Sequence, residues 1–269
     1  MKACRVVIVA VVLLTVWSAP FAGATPSSPA VIMDLRGFAA ATAPDGRTWL
    51  VWAADDGHDS ELLYSRWNGQ GWSPRRTVFA NPDAWDSDPS LAFSADGTAW
   101  LAWTSADRET SAIYVSRWVG YRWSEPGTVP VGDVTEVQEP TLAAAPNGTM
   151  WLAWVGFDGT DDEILASHWD GDSWSAPWQV SADDGDAALY DRQPRLAVDG
   201  NGQPWLVWTG HQAGIDDEIC ASRWTGGGWT AEQAISRDDD ALDTWPSLAL
   251  DAQGQPWVAW KGRVTDGEH

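Results

Sequence analysis

Apolar residues in this chain come in short bursts. Trp100-Leu101-Ala102-Trp103 is one of them, and the same W-x-x-W pair recurs at Trp49/Trp52, Trp151/Trp154, Trp205/Trp208 and Trp257/Trp260. Successive pairs begin 51, 51, 54 and 52 residues apart. Side chains alternate faces along a strand, so a burst with no polar alternation predicts a strand covered on both sides. Just ahead of each burst stands a turn signal: Asp45-Gly46, Asp96-Gly97, Asn147-Gly148, Asn201-Gly202 and Gln253-Gly254. Glycine accepts the positive φ of a tight hairpin, so a first hairpin is predicted at each of these sites. A second is predicted within the W-x-G-x-x-W turns Trp67/Trp72, Trp118/Trp123, Trp169/Trp174 and Trp224/Trp229. Each repeat therefore offers four short strands, and no helical period is present beyond the amino terminus.

A repeat of this length signals an array of stacked units. Four-stranded units covered on both faces predict an all-β fold, a β-propeller of antiparallel blades. The blades are expected near 36–88, 89–139, 140–193, 194–245 and 246–269, the last partial, within one domain over 25–269. Five first hairpins stand against four second ones, because Asp266-Gly267-Glu268-His269 falls where other repeats begin their third strand. Ala30–Asp34 resembles the fourth strands and could lend one to the last blade. The expectation is either an imperfectly closed ring or a piece of a larger propeller. Self-association through the incomplete blade follows from its exposed edge.

The first 24 residues carry Lys2 and Arg5, an apolar run from Val6 to Trp17 and the small-residue ending Ala22-Gly23-Ala24. That is the pattern of a secretory signal peptide, too short in its apolar part to be a membrane span. Its removal leaves 14 of the 16 basic residues against 38 acidic ones, so the net charge moves from −22 to −24. Such a chain is expected to be extracellular, with no affinity for nucleic acid or anionic membranes. Cys220 is then its single cysteine, expected to be buried and inert.

Ser94-Ala95-Asp96-Gly97-Thr98-Ala99-Trp100 resembles the Asp-box or BNR repeat, SxDxGxTW, of sialidase-like β-propellers. The resemblance covers about residues 30–269. It implies propeller architecture and places the box in a structural turn far from an active site. It also implies that a catalytic member would carry three arginines, a tyrosine activated by a glutamate, and an aspartate. Tyr64, Tyr114, Tyr121 and Tyr190 stand in no such context.

Candidate chemistry lies first in residues that repeat with the fold. Arg66, Arg117 and Arg223 share one position on the third strand, with His168 at the fourth copy, and Glu61, Glu163 and Glu218 precede them by five residues. Such residues could pair between blades, or form ring-repeated lectin pockets as in propeller lectins. Trp85 and Trp245 lie outside the repeat and are candidate stacking platforms for a sugar. Acidic loops such as Asp55–Asp59, Asp158–Asp162 and Asp216-Asp217 could take calcium, although a solvated acidic rim explains them as well. No catalytic residue, metal ligand or other cofactor is assigned. The expected function is a secreted, non-catalytic β-propeller that binds a glycan or an extracellular protein through loops at one end. The alternative is a sialidase-like glycoside hydrolase or a truncated fragment of one.

Overall fold

The computed structural model describes residues 35–55, 59–81, 83–182, 189–211, 217–236 and 241–264. The signal peptide, Ala30–Asp34 and Asp266–His269 lie outside the described residues. The described residues form eighteen strands and no helix. Four units of four strands follow one another: β1 to β4 (Leu35–Thr42, Thr48–Asp55, Ser60–Arg66, Arg76–Thr77), β5 to β8 (Trp85–Phe93, Ala99–Ala106, Ser111–Arg117, Gly127–Thr128), β9 to β12 (Thr135–Ala144, Met150–Phe157, Asp162–Trp169, Trp178–Gln179) and β13 to β16 (Tyr190–Val198, Pro204–His211, Asp217–Arg223, Gln233–Ala234). A hairpin, β17 and β18 (Ala241–Leu250, Pro256–Val264), ends the described chain. Within each unit neighbouring strands are antiparallel. A single parallel bridge links one unit to the next at Ser60↔Trp85 and at Asp162↔Tyr190. First strands begin at Trp85, Thr135, Tyr190 and Ala241, ahead of the expected boundaries, and their entry halves carry Asp86, Asp88, Glu136, Glu139, Asp191 and Asp243.

Both hairpins form where their turn residues predict. The glycines of the first turns, Gly46, Gly97, Gly148, Gly202 and Gly254, all have positive φ. The preceding polar residue caps the turn: Asp96 Oδ1 accepts from the Thr98 N–H at 2.9 Å and from the Ser94 hydroxyl at 2.6 Å. Asp199 and Asp251, placed two residues earlier, each accept two backbone N–H groups instead. In the second hairpin the paired tryptophans bridge across the turn. A hydroxyl clasp closes it behind them. Ser65 donates to the Ser73 carbonyl and Ser73 Oγ accepts the Arg66 N–H, and the pattern recurs at Ser116/Ser124, Ser167/Ser175 and Ser222/Thr230.

The core lies between units. Trp49 and Val51 of the first unit cluster with Leu101, Trp103 and Trp123 of the second, and Trp100 and Ile113 with Leu152 and Trp154 of the third. Each large aromatic buries about 150–250 Å², so these seams dominate the packing energy. The second tryptophan of each burst also needs a partner for its indole N–H. Trp103 donates to Asp86 at 3.1 Å and Trp208 to Asp191 at 2.7 Å, each acceptor lying seventeen residues earlier on the first strand. Val137 occupies that position in the third unit, and the buried Trp154 indole N–H has no partner among the described residues.

Candidate functional site

First strands pack against one another from β1 through β5, β9 and β13 to β17. Each carries a register shift at the same place. The residue there has positive φ: Gly37, Asp88, Glu139, Gln193 and Trp245. In four of the five it is followed by proline. Proline disfavours helical conformations in the residue before it, and a non-glycine residue at positive φ costs on the order of 1–3 kcal/mol, so this is a strained row. Its side chains tie the units together. Glu139 Oε2 accepts the Gln193 N–H at 2.6 Å, and Gln193 Oε1 accepts the Trp245 N–H at 2.8 Å.

Over this row opens a cleft of about 630 Å³, lined by Gly37 to Ala40, Asp88 to Leu91, Glu139 to Thr141, Arg195 and Trp245. Two residues after the strained position the repeat has Ala39, Ser90, Thr141 and Ser247, but Arg195 in the fourth unit. Burial pushes the Asp88 carboxyl above the usual range, and the Glu139 carboxyl too, where repulsion from Asp88 adds to it. Burial likewise lowers Arg195, against the opposing pull of Glu139 and Asp88. Trp245 is 57% exposed. The cleft thus offers two carboxyls that hold their protons more strongly than free ones, a guanidinium donor and an open indole face. Together these match hydroxyls, an apolar sugar face and proton transfer.

A second polar cluster sits at the entry of β13. Tyr190 donates to Asp217 Oδ1 at 2.7 Å, His211 Nδ1 lies 2.9 Å from the same oxygen, and the two rings stack at 5.1 Å. Arg192 lies over Tyr190 and donates through two nitrogens to Asp162 Oδ2, both at 2.7 Å. Burial and the Asp217 carboxylate push the Tyr190 phenol up to about 12. Its hydroxyl donates to that carboxylate.

The predicted site residues separate. Arg66 lies at the turn end of β3 opposite Trp49, whereas Glu61 lies at the other end opposite Ala54. Five residues of strand span roughly 16 Å, so the arginines and glutamates do not form one pocket. Nor, among the described residues, do Arg66, Arg117 or Arg223 form an ion pair between units. Arg66 and Arg117 lie instead over tryptophans of their own unit and the next, and Arg223 over Trp205. Glu163 and Glu218 are buried and accept hydrogen bonds from the Ser181 and Ser236 hydroxyls, while Glu61 accepts from Thr77 at 3.4 Å. Trp85 begins β5 and is part-exposed, away from the cleft that Trp245 lines. Trp178 packs flat on His168 at 5.4 Å and belongs to a seam. Cys220 is buried, which pushes its thiol up.

Of the acidic loops, residues 56–58 and 216 lie outside the described residues. Asp158, Asp161 and Glu163 bring carboxylate oxygens within 4.8 Å of one another, the one described group with the spacing to hold a cation. Asp158 Oδ1 already accepts the N–H groups of Thr160 and Asp161 as a turn cap. Asp88, Glu139 and Arg195 went unrecognised in sequence. The available signal was the X-Pro dipeptide recurring with the repeat while X changed from Asp to Glu, Gln and Trp.

No family model matches the chain, and no curated protein matches it. Solved structures do. A Dyadobacter fermentans protein of unknown function aligns over 85% of this chain and 75% of its own, at TM-score 0.69 and 14% identity. The Hadza microbial sialidase Hz136 aligns over 84% at TM-score 0.60 and 15% identity, this chain spanning about half, 52%, of it. A Penicillium chrysogenum α-L-arabinanase, solved with arabinobiose, aligns over 84% of this chain and 74% of its own at TM-score 0.60 and 13% identity. The fold is that of sialidase and arabinanase β-propellers. No helix among the described residues is long and apolar enough to cross a membrane.

Proposed function

We propose that this chain is a secreted, carbohydrate-active β-propeller whose saccharide site is the cleft of Asp88, Glu139, Arg195 and Trp245. Its four complete units and the β17–β18 hairpin serve as successive blades, with the first strands innermost. The observation that carries the reading is that the repeat breaks at this cleft: equivalent positions hold different chemistry, on strained backbone, with a part-buried arginine beside two carboxyls. Residues that depart from the repeat are not required by the shared fold and are free to serve a ligand. Support comes from fold neighbours named as a sialidase, an α-L-arabinanase and a polysaccharide lyase.

Hydrolysis is the reading favoured by the carboxyl pair. One carboxyl, its proton held more strongly through burial, supplies the proton to the glycosidic oxygen, and the other, when ionised, acts on the sugar carbon directly or through water. Binding without catalysis is the second reading. It is favoured by Glu139 Oε2, which is already engaged with the backbone of the next unit.

The test incubates the secreted chain with arabinan, sialyllactose and ulvan, measuring released sugars and retention on the immobilised polymers. Asp88→Asn and Glu139→Gln are expected to lower release by about 100-fold or more while retention persists. Glu139→Gln preserves the oxygen that accepts the Gln193 N–H, so its fold is kept. Retention without release in the unmodified chain would select the binding reading. Neither release nor retention would reject both.

A further inference from the structure

At the turn end of the strands, two further openings lie on the seams. One, about 410 Å³, takes Asp45, Trp49 and Arg66 from the first unit and Gly97, Trp118 and Gly120 from the second. The other, about 370 Å³, takes Asp96, Trp100 and Arg117 from the second unit and Gly148, Trp169 and Gly171 from the third. Each of these residues in the second groove is the counterpart of one in the first, displaced by one repeat.

Both guanidiniums are presented in the same way. The Arg66 guanidinium carbon lies 5.1 Å from the Trp49 ring centre and 4.9 Å from that of Trp118, and Arg117 lies 5.7 Å and 5.9 Å from Trp100 and Trp169. The hydroxyl clasp fixes the backbone beneath, through Ser73 Oγ and Ser124 Oγ. Neither guanidinium has an ion pair or side-chain hydrogen bond among the described residues. Each guanidinium thus lines its groove beside two tryptophans and shares it with a turn-capping aspartate, Asp45 or Asp96, of which Asp45 also lies 3.5 Å from Arg47 in the first groove. At the next seam the arrangement changes: His168 replaces the arginine and lies flat against Trp178.

We propose that these two grooves are equivalent saccharide subsites, each taking one neutral pyranose, distinct from the cleft between first strands. The guanidinium donates to vicinal hydroxyls, the aspartate accepts from another, and tryptophan covers the apolar ring face. Neutral sugar is favoured because Arg117 and Asp96 bring opposite charges to one groove, while the chain's net charge of −22 repels polyanions. The volumes lie in the range of small-ligand pockets, about 300–1,000 Å³. Two weak sites on one chain would hold a polymeric glycan by avidity, by factors of about 10²–10⁴ over one site.

The test measures retention of the secreted chain on immobilised galactomannan, β-glucan and arabinogalactan, with heparin as the polyanion. Arg66→Met and Arg117→Met keep the apolar stem over tryptophan but remove the donors. Each single change is expected to weaken retention on at least one neutral polymer by about tenfold or more, and the double change to abolish it, with the melting temperature nearly unchanged. Lys261→Met, at an exposed cation that lines neither the grooves nor the cleft, should leave that retention intact. The proposal is overturned if the double variant binds as the parent does, if heparin alone is retained, or if no neutral polymer is retained.

Discussion

Trp151 and Trp154 of the third unit are 4% and 0% exposed, whereas Trp257 and Trp260 of the final hairpin, in the same W-x-x-W motif, are 69% and 40% exposed. The two segments make the same strand with nearly the same residues. What differs is company. The third unit has four strands and a unit on each side, while β18 pairs only with β17 among the described residues. The motif therefore dictates a strand that wants cover on both faces, and only the neighbouring units provide it.

Trp154→Ala should lower unfolding stability by about 3–5 kcal/mol, whereas Trp260→Ala should cost under about 1 kcal/mol, both measured by denaturant titration. Equal losses would mean that β18 is covered as fully as β10. A finer contrast uses phenylalanine. Trp208→Phe leaves Asp191 without its indole donor, while Trp154→Phe removes an N–H that has no partner among the described residues. The former should be the more costly by about 1–3 kcal/mol.

Asp191 sharpens the comparison through pH. Burial pushes its carboxyl up to about 9, with repulsion from Glu232 and Glu163 adding to it. The folded state thus binds a proton that the unfolded state has lost above the ordinary aspartate range. Stability falls as pH rises from about 4 towards 9, and below that window this penalty is absent. Asp191→Asn, which keeps an acceptor for Trp208, should reduce the stability difference between pH 5 and pH 8.5 by at least about 1 kcal/mol. An unchanged pH slope would place the titrating group elsewhere. The smallest effect concerns exchange rates. Backbone amides of β18 should exchange faster than those of β14 at equal pH, since β18 pairs only with β17 among the described residues and local opening is easier with fewer neighbours.

Much of this was legible before any coordinates. Turn chemistry at Asp96-Gly97 and its equivalents, together with tryptophan spacing, specified both hairpins and the four-stranded unit, because local signals of this kind act within a few residues. The candidate cleft was not legible in the same way. Asp88, Glu139 and Arg195 are 51 and 56 residues apart in sequence and meet only because successive first strands pack side by side. The glutamates and arginines of the third strands show the converse error. Their shared periodicity allows pairing between blades or ring-repeated pockets, but an extended strand carries the two residue types to opposite ends.

By itself, then, the sequence determined an all-β repeat with apolar strands, its turns, and the acidic excess of the chain. Tertiary structure alone decided which tryptophans are buried, that Arg66 and Arg117 lie on aromatic faces of the next unit instead of pairing with glutamate, and that Asp88, Glu139 and Arg195 share one cleft. The reason is physical: hydrogen-bonded turns are settled by neighbours along the chain, whereas burial, the pKa values it shifts and the convergence of charges depend on which distant strands are brought together.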